Sequence, residues 1–141
     1  MFETGVANGH STYFALNAIS RVGVGNLYSV DVASDVGGLL RPPETENWRL
    51  HVMAGTSYKS DFAPFVQAPP SLSLFLHDSD HRYPWQAYES ATVMPKMAPG
   101  AILLVDDADA SFAFMDFCRA FSRKLAILVE PRKVLGVLRA S

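Results

Sequence analysis

The chain has a single cysteine among 141 residues, Cys118, so no internal disulfide can form. It falls on an apolar helix face and reads as a buried thiol in a reducing compartment. No stretch is apolar for the length of a membrane span, and the first residues lack the basic and apolar regions of a signal peptide. Charge is concentrated nowhere: 12 Lys and Arg against 14 Asp and Glu leave a formal net charge of −2. A nucleic-acid footprint needs a basic patch, and scattered cations give none. Repeats and low-complexity segments are missing too. The expectation is one globular cytoplasmic domain that engages neither nucleic acid nor membrane. Its 49% hydrophobic residues are enough for a single core.

Phosphate-binding motifs are also missing. Met1-Phe2-Glu3-Thr4 reads as a strand, Gly5 to Gly9 as a tight turn, and the run from Ser11 as a helix, with Ser11 or Thr12 able to cap it. A dinucleotide fingerprint needs G-x-G-x-x-G, but the frame from Gly5 puts Ala7 and His10 where glycines belong. No Lys-Ser or Lys-Thr pair follows the loop, so it is not a P-loop. Glu3 would repel a phosphate from the strand tip, whereas a cationic ligand would suit it. An ordinary βα turn fits the loop equally well.

What is present is an alternation of strands and helices. Ala15, Ala18, Ile19 and Val22 give residues 11 to 22 a helical stripe, ended by Gly23 and Gly25. Residues 27 to 32 form a second strand with Asp31 near its tip, 22 residues after Gly9. Residues 35 to 47 read as a structureless lid-like stretch. A third strand runs from Arg49 to Ala54 and ends at Gly55-Thr56-Ser57, and a weakly periodic helix covers 58 to 67. Leu72 to Leu76 is an apolar fourth strand that runs into His77-Asp78-Ser79-Asp80-His81-Arg82-Tyr83. Pro84 suits the first turn of a helix carrying Trp85 and Tyr88 on one side and stopping near Met97. Ala101 to Val105 is a fifth strand, ending in Asp106-Asp107-Ala108-Asp109. Phe114, Phe117, Cys118 and Phe121 mark the next helix, and 125–129 and 134–138 a closing strand pair. The fold class is α/β, a doubly wound, mostly parallel sheet.

Two strand tips carry five aspartates. Adjacent parallel strands lie about 5 Å apart, so Asp78, Asp106 and Asp107 can converge. With no lysine or arginine read among them they would repel unless a cation is present, and all-oxygen ligands suit a hard ion such as Mg²⁺. Capping of the following helices is the alternative, most of all for Asp109. His77 and His81 raise a metal-dependent hydrolase, but the run matches a zinc hydrolase pattern only at Asp80 and His81. His10 and His51 read as surface or packing residues.

These residues resemble the class I S-adenosylmethionine-dependent methyltransferases, in the branch with D-x-D-H-x-Y after strand four. Glu3-Thr4-Gly5-Val6-Ala7-Asn8-Gly9-His10-Ser11-Thr12 is similar to the E-x-G-x-x-x-G-x-S-T first motif, and Leu27 to Asp31 to the second. Asp78-Ser79-Asp80-His81-Arg82-Tyr83 matches D-x-D-H-x-Y. Pro99-Gly100-Ala101 through Asp107 resembles P-G-G…D-D, with Ala101 in place of the second glycine. The resemblance implies a Rossmann-like methyltransferase fold spanning 1–141. It implies that Glu3, Gly5, Gly9 and Ser11 hold the methionine end of S-adenosylmethionine, and that Asp31 grips the ribose. Gly55-Thr56-Ser57 falls on the adenine-side loop. The resemblance also implies a magnesium ion on Asp78, Asp106 and Asp107. His81 beside them is the candidate to take a proton from a hydroxyl acceptor, with a structural hydrogen bond to a neighbouring acid as the alternative.

The function expected is O-methylation of a small molecule. Family members carry a helix, often a longer segment, ahead of strand one, whereas here strand one starts at Met1. The expectation is therefore either a piece of a longer product or a cut-down, non-catalytic binding module. With strand one short, apolar surface should stay exposed and favour a homodimer.

Overall fold

Strand and helix alternate along the chain as the pattern of apolar residues requires. The computed structural model describes residues 1–53, 58–121 and 125–141. The chain divides into two compact units, Met1–Pro69 and Pro70–Ser141. The expected end of the third strand at Ala54 and the expected adenine-side loop Gly55-Thr56-Ser57 lie outside the described residues.

In the first unit, β1 (Phe2–Thr4), β2 (Leu27–Asp31) and β3 (Trp48–Val52) are parallel in the order β3-β2-β1. α1 (His10–Val22) joins β1 to β2, and α2 (Tyr58–Val66) follows β3. α1 buries Thr12, Leu16 and Ile19, while Ala18 and Val22 face out. The inward stripe is thus turned from the apolar one read in sequence, because Thr12 is drawn in by a buried acid. Leu16, Ile19, Leu27 and Leu40 form a core cluster, and Phe2 meets Phe62 edge to face at 6.0 Å. His51 stacks on Phe65 at 4.7 Å, the packing role expected of it. The stretch after Asp35 is not structureless: Gly37 and Leu39 donate to the carbonyls of Ala7 and Asn8, and Glu44–Asn47 makes a 3₁₀ turn.

The second unit carries β4 (Leu72–His77), β5 (Met97–Val105), β6 (Leu125–Glu130) and β7 (Lys133–Arg139), in the order β4-β5-β7-β6. β4 and β5 are parallel, and β7 pairs antiparallel with both β5 and β6. α3 (Tyr83–Val93) and α4 (Ala113–Ala120) complete it. α3 carries Pro84 in its first turn and ends earlier than expected, so that β5 already begins at Met97. Its buried face is Gln86, Glu89, Ser90 and Val93, mostly polar, which apolar periodicity could not show. Phe121 lies beyond the end of α4 and is half exposed, while Phe114, Phe117 and Cys118 are buried. Burial pushes the Cys118 thiol up to about 11, as a core cysteine should behave. Gly136 is required by packing: a Cβ there would sit 2.5 Å from the Phe114 ring.

Candidate functional site

The loop after β1 is shaped by glycine and by one carboxylate. Gly9 has φ +90, and a Cβ on it would come within 3.1 Å of the Gly37 Cα, so only glycine lets the two segments approach. Gly5 has φ 82 and donates to the Val30 carbonyl at 2.9 Å, while Ala7 is held at φ 46. The N–H groups of Val6 and Ala7 both donate to Asp31 Oδ2, at 2.8 and 3.3 Å, and Ala33 donates to Oδ1 at 2.9 Å. Asp31, at the tip of β2, thus holds the β1 loop in shape. Partial burial pushes its carboxyl up, but the N–H bonds of Ala33, Val6, Ala7 and Val32 outweigh this and leave it below the usual carboxylate value.

Glu3 is turned inward and 1% exposed. Its Oε1 accepts from Ser11 at 2.5 Å, and its Oε2 from Thr12 and Ser29, each at 2.8 Å. Ser29 in turn accepts from the Trp48 indole N–H at 2.9 Å. Burial pushes the Glu3 carboxyl above its ordinary value. The three hydroxyls oppose that rise, and the Asp31 charge adds to it. The helix cap expected of Ser11 or Thr12 is corrected: Gly9 is the N-cap, with no side-chain cap, because both hydroxyls are committed to Glu3.

The strand tips of the second unit gather what the sequence placed there, and one residue more. His77 pairs with Val105, and the Asp106 N–H donates to the His77 carbonyl at 2.9 Å, which brings Asp78 and Asp106 side by side. Burial, followed by the adjacent Asp106 charge and a hydrogen bond to it, pushes the Asp78 carboxyl up to about 7. Burial also acts to raise Asp106, but Lys133 and the bond from Asp78 hold it below its ordinary value. His81 Nε2 stands 3.9 Å from Asp78 Oδ1 and 3.7 Å from Asp107 Oδ2. Asp107 has φ 46, in the left-handed region that Asp tolerates.

The expectation that no lysine or arginine stands among these acids is corrected. Lys133, at the start of β7, places its ammonium on Asp106 Oδ2. That hydrogen bond and the Asp106 charge raise the Lys133 pKa. Sequence spacing hid the residue, since it reads as part of a hairpin turn. Only the antiparallel register of β7 on β5, with Gly136 opposite Val105, carries it to the strand tips.

Asp80 is also outside the cluster, forked to the exposed Arg82 guanidinium. His77 is fully buried with Nδ1 2.6 Å from Glu89, which also accepts from Ser79, so it faces the core rather than an open site. Asp109 does not cap α4; the Ala113 N–H is met by Ser111 Oγ at 3.3 Å, because the helix begins later. Among the described residues, no group of three or more His, Cys, Asp and Glu is placed to hold a metal. The donor set as it stands, with an ammonium on its central carboxylate, does not fit a resident magnesium ion.

A family model for a methyltransferase domain matches residues 2–108. The chain belongs to that family. No curated protein matches it in sequence. Among solved structures, it is similar to the MycE methyltransferase of the mycinamycin biosynthetic pathway in complex with Mg, SAH and mycinamycin VI. There the TM-score is 0.72 at 12% identity, covering 99% of this chain and 44% of that one. The chain thus spans less than half the length of MycE. The O-methyltransferase NovP gives 0.70 at 15% identity, covering 100% of this chain and 71% of that one. A putative rRNA-methylase from Clostridium thermocellum gives 0.71 at 12% identity, with 98% and 87% covered. At such identities the likeness shows the fold: α/β, mostly parallel and Rossmann-like, as the sequence implied.

Proposed function

We propose that this chain binds S-adenosylmethionine on its first unit and serves methyl transfer to a hydroxyl oxygen of a small-molecule acceptor. The observation that carries the reading is the β1 loop wrapped around the Asp31 carboxylate. Its inner N–H groups are spent on Asp31, so the loop offers a carboxylate at its rim where a dinucleotide site would offer free N–H groups to a phosphate. Membership in the methyltransferase family supports the reading. So do the SAH in the MycE complex and the O-methyltransferase activity named for NovP. The dispersed charge of the chain favours a small acceptor over RNA.

The cofactor, when bound, supplies an electrophilic methyl group on a sulfonium. Asp31 accepts from the ribose hydroxyls with the lone pairs its backbone donors leave. Gly5 and Gly9 let the loop backbone approach the methionine end. Glu3 and Ser11 act behind them: the carboxylate ties the first turn of α1 to β2 and sets where the loop sits. Transfer would form the O–C bond as the S–C bond breaks, with the acceptor's hydroxyl proton passing to a base, the role proposed for His81. Magnesium has no part in this chemistry, since the Lys133 ammonium already occupies Asp106. Exposed apolar side chains on α1, Phe14 and Val22 at 72% each, support the homodimer as part of the same proposal. A cytoplasmic setting agrees with the lone thiol, and among the described residues no helix is long and apolar enough to cross a membrane.

Calorimetry with S-adenosylmethionine on the whole chain, followed by transfer from a methyl-labelled donor to a panel of catechols and sugars, tests the proposal. Binding with transfer supports it. Binding without transfer to any acceptor leaves a non-catalytic module, and failure to bind overturns the reading.

A further inference from the structure

The carboxylates at the second unit's strand tips carry their own cation, delivered by the C-terminal hairpin. Glu130 pairs with Lys133 across the Pro131-Arg132 turn, and Val105 pairs with Gly136. The Ala108 N–H donates to the Val134 carbonyl at 2.8 Å, tying the hairpin to the turn that follows Asp106. These backbone links fix where the Lys133 stem starts, and its ammonium lands on Asp106 Oδ2. Asp106 is nearly buried, its side chain 6% exposed, while the Lys133 side chain is 52% exposed. The lysine therefore covers the carboxylate from the solvent side, the direction from which an ion would arrive.

We propose that the Lys133 ammonium is the resident counter-ion of Asp78, Asp106 and Asp107 and holds the place that a divalent cation would take, so that this chain does not take up magnesium there. The geometry makes the two mutually exclusive. A divalent ion on Asp106 Oδ2 would share that atom with an ammonium, and the two positive charges would repel at contact distance. Magnesium also demands near-octahedral oxygens at about 2.0–2.1 Å, with several waters retained. The inference does not depend on methyl transfer, because metal binding is measured without donor or acceptor.

The test is Mn²⁺ alone as probe, followed by electron paramagnetic resonance of the free ion near neutral pH, with Mg²⁺ as competitor. The proteins are the whole chain, Lys133→Arg, Lys133→Gln, and Lys133→Gln combined with Asp106→Asn. Circular dichroism checks that each is folded. The wild-type chain and Lys133→Arg should bind no tighter than millimolar. Lys133→Gln should gain at least about tenfold, as expected when a contact cation is removed, and Asp106→Asn should abolish the gain. One Mn²⁺ bound by the wild-type chain at micromolar affinity and displaced by Mg²⁺ would overturn the proposal. A folded Lys133→Gln with no gain would also overturn it. Should Lys133→Gln not fold, the wild-type chain and Lys133→Arg decide: weak binding by both supports the lysine as counter-ion, and tight binding by either refutes it.

Discussion

Replacing Glu3 by alanine should cost far more stability than its position in a three-residue strand suggests. Its carboxylate is the common acceptor for Ser11, Thr12 and Ser29, and the last two are 0% exposed. A buried polar group left unpaired costs about 1–3 kcal/mol, so two such hydroxyls amount to about 2–6 kcal/mol before any cavity is counted. Against a net stability of about 5–15 kcal/mol for a domain, that is a large fraction. Urea unfolding near neutral pH measures it. A loss below about 1 kcal/mol would refute the idea that this acid ties α1 and β2 to β1. Glu3→Gln separates charge from connectivity. The folded pKa of Glu3 lies above its ordinary 4.5. Its contribution is thus fully present below the unfolded value and is lost as pH rises through the folded one. Wild-type stability should therefore fall relative to Glu3→Gln as pH rises from that value, and parallel pH profiles would contradict the burial of the charge.

Asp31→Ala should weaken S-adenosylmethionine binding about ten- to a hundredfold, the worth of about 1.5–3 kcal/mol for charge-assisted bonds, measured by calorimetry. Asp78, with its carboxyl raised from 3.8 to about 7, holds a proton in the folded state that the unfolded chain releases, so its contribution is lost as pH rises across that interval. Denaturant titrations of Asp78→Asn against wild type should show the variant gaining over that window. Gly136→Ala should destabilise by about 1–3 kcal/mol, because the added methyl meets the Phe114 ring; an unchanged unfolding midpoint would contradict the packing. His81→Ala should lower kcat by about 10²–10⁴-fold with KM little changed, and a smaller loss would leave His81 structural.

The seven strands among the described residues were legible because each is a short β-rich run between turn residues, and the helices fall near where expected, although α3 stops short of Met97. Their inward faces were less legible. α1 buries Thr12 and α3 buries Gln86 and Glu89, polar positions that a search for apolar stripes passes over. Their partners, Glu3, Ser111 and His77, come from other elements and cannot be paired by spacing alone. The acids at the tips of β4 and β5 were visible because both lie at the ends of adjacent parallel strands. Lys133 was not visible, since its place depends on a strand that returns antiparallel. The β1 loop was legible as a turn, but not the service of its N–H groups to Asp31, which lies 25 residues from Val6.

Calorimetric titration of the whole chain with S-adenosylmethionine, set beside NADH, tests the central claim most directly. The account predicts one site for the methyl donor, weakened about ten- to a hundredfold in Asp31→Ala, and no heat with NADH. Saturable binding of NADH with none of S-adenosylmethionine would contradict it.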